Sequence, residues 1–399
     1  MSILVTDGEE RVGYNVMKSL GKKGVDVTSC SKTEISASSF SRYCKGHFTY
    51  PDPSKNTDDF LKRILNEVTK KKYEMIIPVS DFSVIPISEN REKFHRFTKI
   101  PIASHKSILL AYNKIETLKM AMENEIPCPE IFFPKNTRDL KEISEKLEYP
   151  IVIKPAVSQR WNQNKTKYQK VQMAFSEKEL FEKYKILYDR KYPPIVQEYI
   201  PGTGYGFFGL YNNSELRASF VHRRIREFPV GKGASTLRES VENRRIRKFG
   251  DKLLKLMKWH GVAMVEFKMD SRTNEPKLME VNGRFWGSLN LPISSGIDFP
   301  YLLYKMTKDG DIRPIHKYKT DVKSRWLMGD IFRMISIVTN SYDRKLNKNI
   351  KKSNEIEDFI KFRGRDMYYD MFSLDDPLPG FVNLLFSFQR ALNKVKKVS

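Results

Sequence analysis

The chain has 399 residues, with 71 lysines and arginines against 48 aspartates and glutamates and a formal net charge of +23. A hydrophobic fraction of 40% and a charged fraction of 30% describe a soluble globular protein of two or three domains with a well-buried core. No apolar run approaches the roughly 20 residues of a membrane-spanning helix. The opening Met-Ser-Ile-Leu-Val-Thr lacks the basic-then-apolar pattern of a signal peptide. Cys30, Cys44 and Cys128 are odd in number and scattered, which suits neither a disulfide framework nor a zinc site, so a reducing, cytoplasmic setting is expected. The basic excess admits nucleic acid, an anionic membrane surface or polyanionic substrates such as nucleotides as partners. Its clusters, Lys70–Lys72, Arg223–Arg226, Arg244–Lys248 and Lys394–Lys397, are dispersed and not interleaved with stacking aromatics. Diffuse surface charge is the preferred reading, and nucleic acid is not an expected partner.

Residues 1–103 alternate strand and helix signals: Ile3–Thr6, Val12–Leu20, Val25–Thr28, Asp58–Thr69, Met75–Val79 and a helix over Ser88–Phe97. That alternation predicts a parallel sheet covered on both faces, a Rossmann-like α/β domain. The turn Asp7-Gly8-Glu9-Glu10-Arg11-Val12-Gly13 is not a dinucleotide fingerprint, and its acids would repel a pyrophosphate, which disfavours a nicotinamide enzyme. Asp81 follows a strand end, where open α/β sheets gather ligand contacts. Residues 104–129 read as a helical connector, with Ser107 as cap of Ile108–Tyr112 and Asn113-Lys114 opening Ile115–Asn124. A lysine at a helix start opposes the macrodipole, so Lys114 points to an anion.

Residues 130–200 read as a small α+β lobe. Ile151-Val-Ile-Lys154 puts a lysine inside an apolar strand, and a buried lysine needs a partner. Ala156–Lys170 is polar and helix-poor, a loop expected to order over phosphates. A strand at Val171–Ala174, a helix at Ser176–Tyr188 opened by Ser-x-x-Glu, and a strand at Ile195–Ile200 ended by Pro201-Gly202 follow. Residues 201–310 continue with strands at Phe207–Tyr211 and Glu215–Arg226. Arg223, Arg224 and Arg226 are too many cations for a buried strand without anions nearby. Gly231–Thr236 lacks the spacing of a phosphate loop. After a helix over Arg244–His260 comes a predicted hairpin, Val262–Asp270 and Lys277–Arg284, turning at Ser271–Pro276. Side chains two apart on a strand share a face. Glu280, Asn282 and Arg284 therefore line up, with Glu266 on the partner strand, and such an oxygen-rich face suits a hard cation. Residues 311–399 read as a mostly helical C-terminal extension, with helices at Asp330–Val338, Glu355–Lys361 and Phe381–Val398. The last is amphipathic and basic. Docking on the core is preferred to contact of 381–398 with an anionic membrane surface.

Taken in order, these pieces resemble the ATP-grasp superfamily, in particular its carbamoyl-phosphate-synthase-like and carboxylate–amine ligase branch, over roughly residues 1–300. The resemblance rests on Asn113-Lys114, Pro150-Ile-Val-Ile-Lys-Pro155, Val196-Gln-Glu-Tyr-Ile-Pro-Gly202, Met264-Val-Glu-Phe267 and Leu278-Met-Glu-Val-Asn-Gly-Arg284. It implies an α/β domain preceding two grasping lobes. Lys114, Lys154 and the hinge Gln197, Glu198, Tyr199 and Ile200 would bind ATP. Glu266, Glu280 and Asn282 would hold Mg2+, with Mn2+ as the alternative, and Arg284 would contact the transferred phosphate. Arg224 or Arg226 is expected to hold the carboxylate of a small acidic substrate. The implied activity is an ATP-dependent ligase that activates a carboxylate as an acyl phosphate for attack by an amine. The alternatives are phosphorylation of a small acid, and a non-catalytic basic nucleic-acid or surface-binding protein with a degenerate grasp fold. Two departures from the family pattern are the glycine-poor loop after Lys154, where Arg160 and Asn162 stand, and the absence of an acid in Gly202–Gly206.

Overall fold

The computed structural model describes residues 2–395 except 158, 163–164, 232, 348–349, 362–363 and 365; side chains at 137, 158–168, 388 and 390–395 are not described. The N-terminal unit is a four-stranded sheet in the order β3-β2-β1-β4, with β1 at Ser2–Val5, β2 at Asp26–Ser31, β3 at Cys44–Thr49 and β4 at Tyr73–Ile77. All its pairings are parallel. Alternate residues of β1 serve opposite faces. Ile3 and Val5 join Tyr14, Val16, Met17 and Leu20 of α1 (Arg11–Lys22), while Leu4 joins Phe60, Ile64 and Val68 of α2 (Thr57–Lys70). Burial on both faces is why these strands read as apolar runs. Strand β3, Cys-Lys-Gly-His-Phe-Thr, is an unpredicted edge strand without such a run. The helix expected over Ser88–Phe97 is two helices that start earlier, α3 (Asp81–Glu89) and α4 (Arg91–Phe94). Ser83–Ser88 of α3 are all buried, so no polar stripe reveals its period.

The connector holds α5 (His105–Tyr112) and α6 (Lys114–Glu123). Ser104, not Ser107, caps α5, its hydroxyl accepting the Ser107 N–H at 3.1 Å. The small lobe is a sheet in the order β5-β10-β6-β9, formed by β5 (Ile131–Phe132), β6 (Ile151–Lys154), β9 (Gln172–Ala174) and β10 (Ile195–Glu198). α7 (Thr137–Lys146) and α8 (Glu177–Leu187) pack on it through Leu140, Ile143, Leu180 and Tyr184. Where a loop was expected after Lys154, the backbone makes a two-stranded ribbon, β7 (Gln159–Asn162) against β8 (Lys165–Tyr168). The side chains of Arg160 and Asn162 lie outside those described.

The large lobe is a seven-stranded sheet in the order β15-β14-β11-β12-β13-β16-β17. Its strands are β11 (Gly202–Asn212), β12 (Glu215–Phe228), β13 (Ala234–Ser240), β14 (Gly261–Asp270), β15 (Pro276–Asn282), β16 (Lys323–Arg325) and β17 (Met367–Tyr369). α9 (Arg244–Leu256) covers one face through Ile246, Leu253 and Leu254. α10 (Asn290–Ser294) and α11 (Phe299–Asp309) contribute Leu291, Phe299 and Leu303 to the other core. Residues 311–399 are not merely a helical extension. Besides α12 (Leu327–Val338) and α13 (Lys352–Ile360) they supply β16 and β17, three-residue strands too short to carry a periodic signal. Helix α14 (Leu378–Val395) includes the Pro379-Gly380 expected to precede it. Phe381 meets Phe372 edge-on at 6.0 Å, yet Leu378, Phe381 and Leu385 remain exposed. The lysine tail at 396–397 lies outside the described residues. Among those described, no helix is long and apolar enough to cross a membrane.

Candidate active site

Strands β14 and β15 pair with Glu266 directly opposite Glu280 and Met264 opposite Asn282, with an irregularity just past Glu266. Like charges opposite one another destabilise a sheet. Here the Asn282 Nδ2 group lies between them, donating to Glu266 at 3.2 Å and to Glu280 at 3.3 Å. The strand ends at Asn282, but Arg284 stays with the cluster, donating to Asn282 Oδ1 at 3.1 Å and holding Asp81 through Nε at 3.0 Å. Asp81 is the first residue of α3, so the N-terminal unit steadies an arginine of the large lobe.

Cations surround the acids. Lys114 is the first residue of α6, capped by Asn113, and its Nζ is 3.5 Å from Glu280. Lys154, on β6, is buried with Nζ 3.9 Å from the Met279 sulfur. Arg224 bonds Glu266 and, at 3.3 Å, Glu227. Burial pushes the Lys154 ammonium down to about 8 against the pull of Glu280. Burial and the facing Glu280 hold Glu266 above the ordinary carboxylate range. Burial acts upward on Glu280 as well, but Lys114 and Lys154 outweigh it and leave that carboxyl below its usual value. The two acids of the pair are thus shifted in opposite directions by their surroundings.

These groups line one cavity of about 770 Å³ between the small-lobe sheet and the seven-stranded sheet, together with Gln197, Tyr199 and Ile200 of the hinge and with Arg11 and Asp81 of the N-terminal unit. That volume suits a small-molecule site. Gln197 is buried, and its Oε1 finds no partner among the described residues. Glu198 differs. Its N–H donates to the Glu130 carbonyl at 3.0 Å, and its carboxylate takes the Glu130 N–H at 2.9 Å and Arg272 at 2.8 Å. Its side chain is therefore committed to the hinge itself.

The cations of β12 have their anions inside the protein. Arg223 pairs with Glu239, Arg224 with Glu266, and Arg226 with Asp330 at 2.6 Å. Only Arg224 of the three lines the cavity. Register irregularities either side of Arg226 break the alternation that would have kept it on the face of Arg224, so Arg226 as a substrate ligand is corrected to a buried structural pair. Sequence reasoning also missed Arg11, His222, Trp286 and Ser288, which line the cavity. Trp286 and Ser288 follow the Glu-x-Asn-x-Arg run closely, the one local signal that marked them.

The fold has counterparts. A family model described as "ATP-grasp in the biosynthetic pathway with Ter operon" matches residues 191–329. A 221-residue stretch, 53% of this chain, is 24% identical to the carbamoyl phosphate synthase large chain of Pyrococcus furiosus and covers 20% of that protein, so the chain spans about a fifth of its relative's length. The biotin carboxylase domain of Hydrogenobacter thermophilus 2-oxoglutarate carboxylase, solved with MgADP, ADP and bicarbonate, superposes with a TM-score of 0.62 at 15% identity over 81% of this chain and 73% of that one. N5-carboxyaminoimidazole synthetase of Staphylococcus aureus gives 0.61 at 15% identity over 81% and 80%. L-amino acid ligase of Bacillus licheniformis gives 0.59 at 15% identity over 79% and 77%. Residues 191–329 thus match an ATP-grasp family, and the solved structures share the fold over about four fifths of the chain.

Proposed function

We propose that the protein is an ATP- and Mg2+-dependent ligase that converts a carboxylate to an acyl phosphate for attack by an amine, with ADP and phosphate released. The carrying observation is the opposed pair Glu266 and Glu280 with Asn282 between them, ringed by Lys114, Lys154, Arg224 and Arg284 in the cavity between the sheets. The donor set fits a magnesium ion. Among the described residues no group of three or more His, Cys, Asp or Glu is placed to hold a metal ion, but Mg2+ usually takes one or two carboxylates and completes its shell with phosphate oxygens and water. The amide N–H donors of Asn282 now lie where the acids ask for positive charge. When bound, the metal would neutralise polyphosphate oxygens and polarise the transferred phosphoryl group.

The chain's own residues do the rest. Lys114 and Lys154 offer ammonium groups to the nucleotide phosphates, and Gln197, Tyr199 and Ile200 wall the base. Arg284, held by Asp81, meets the charge that develops on the moving phosphoryl group, and preorganised cations of this kind dominate phosphoryl transfer. The β7–β8 ribbon follows Lys154 in the chain, and a segment covering the phosphates would keep water from the acyl phosphate.

Hydroxylamine tests this reading, because it traps an acyl phosphate as a hydroxamate. Incubation with Mg-ATP, hydroxylamine and pools of carboxylic acids should yield ADP and hydroxamate in equal amounts. Glu280→Gln should lower the rate by ~10²-fold or more. AMP and pyrophosphate as products would sink the acyl-phosphate step, and an unimpaired Glu280→Gln would sink the metal assignment.

A further inference from the structure

One wall of the cavity carries His222 and Trp286. His222 lies on β12, opposite Gly206 of β11, which in turn faces Glu266 of β14. Adjacent strands lie about 4.8 Å apart, so the backbone at His222 is roughly 10 Å from that at Glu266. The missing side chain at Gly206 leaves room for the Phe208 ring. That ring meets His222 edge-on at 4.8 Å and Trp286 at 4.5 Å. His222 and Trp286 each retain 1% exposure and line the cavity. Neither ring nitrogen of His222, nor Trp286 Nε1, nor Arg224 Nε has a hydrogen-bond partner among the described residues. Buried polar groups are ordinarily paired, so several unpaired ones at a single wall call for an occupant.

The chemistry of that wall selects the occupant. An indole N–H and a guanidinium Nε–H can only donate. Burial and the nearby Arg224 and Arg238 hold His222 neutral, so its imidazole adds one donor and one acceptor. Arg11 brings a cation to the same cavity, anchored on Asp370 at 2.8 Å and lying over Trp326 at 4.0 Å. The acids nearby are already engaged, Asp81 by Arg284 and Glu227 by Arg224. A donor-rich, positively biased wall suits an oxyanion and repels an amine. If the reacting carboxylate lies beside Glu266, Glu280 and Arg284, as the proposed function has it, His222 stands two strands away from Glu266 and needs an occupant of its own.

We propose that His222, Trp286 and Arg11 form a subsite for a second carboxylate, so that the acid substrate of this enzyme is a dicarboxylate. This rests on the ligase reading for the position of the first carboxylate, and a binding measurement separates the two. Calorimetric titration of the MgADP-saturated protein would compare succinate with butyrate and glutarate with valerate. Each diacid should bind at least ten times more tightly than its monoacid partner. Trp286→Phe, which removes the N–H and keeps a ring, and His222→Leu should each reduce that ratio at least fivefold without changing MgADP affinity. His222→Asn, which keeps a donor, should restore part of it. Failure of the diacids to bind, equal affinity within each pair, or discrimination unchanged in Trp286→Phe would overturn the subsite and leave the wall to buried water. Should His222→Leu show no cooperative melting, Trp286→Phe decides alone. Diacid preference without hydroxamate formation would sink the ligase reading and keep the subsite; hydroxamate formed equally well from monoacids would do the reverse.

Discussion

Lys154 carries a charge that burial makes costly, and its pKa is pushed down to about 8 from the ordinary lysine value of about 10.4. Between those two pH values the unfolded chain binds more protons than the folded one, so the penalty on the fold is full below pH 8 and relieved above it. A bound polyphosphate favours the ammonium and raises the folded pKa again. Nucleotide binding should therefore take up a proton, and MgADP affinity should fall by up to about tenfold per pH unit as pH rises above 8. Titration calorimetry from pH 7 to 9.5 checks this; Lys154→Met should bind more weakly and flatten the slope. The same slope in both proteins would remove Lys154 from the phosphate site. Residue identities also explain where sequence reading ran out. Arg224 and Arg226 are equivalent by type and spacing, yet one faces Glu266 in the cavity and the other Asp330 outside it.

The joint between the lobes is where an element's geometry is most exacting. After β10, Pro201-Gly202 turns the chain into β11 with φ +128° at Gly202, and a Cβ there would approach the Met269 carbonyl oxygen to 2.0 Å. Both the conformation and the space demand glycine. Gly202→Ala should cost ~1–3 kcal/mol, read as a lower urea midpoint, and should weaken nucleotide binding through the displaced hinge; an unchanged midpoint would show that the joint relaxes freely. The strands that sequence located well are the long or apolar ones, such as β1, β4, β6 and β12. The hairpin β14–β15 was legible to its turn because alternation persists across both strands. β3, β16 and β17 were not, since edge or three-residue strands acquire their pairing from neighbours already folded.

Across the whole molecule, the ends of the chain are stitched to each other. Asp370, just past β17, accepts from Arg11 of α1 at 2.8 Å, from Ser324 at 2.8 Å and from Arg238 of β13. Asp376 accepts from Tyr14 at 3.0 Å and Ser41 at 2.6 Å. The C-terminal segment thus clamps the N-terminal unit to the large sheet and steadies Arg11 at the cavity. Removing one partner of a buried ion pair leaves the other charge uncompensated. Asp370→Ala should accordingly lose ~3–5 kcal/mol of stability and shift the urea unfolding transition; a loss below ~1 kcal/mol, the range of exposed pairs, would show the clamp to be superficial.

The sequence by itself determined the α/β character of the first hundred residues, the longer strands and helices, and the run of residues that become the cavity: Lys114, Lys154, Gln197, Tyr199, Ile200, Glu266, Glu280, Asn282 and Arg284. These were legible because the polar groups interrupt otherwise regular apolar patterns, and such interruptions are costly unless used. Only the tertiary structure decided how charges are matched. The register of β12 against β13 turns Arg226 away, α3 brings Asp81 to Arg284, and β11 brings His222 and Trp286 together around Phe208. Those pairings join residues as far apart as Arg11 and Asp370, and no local pattern encodes them because the energy that selects them exists only once both surfaces are buried together.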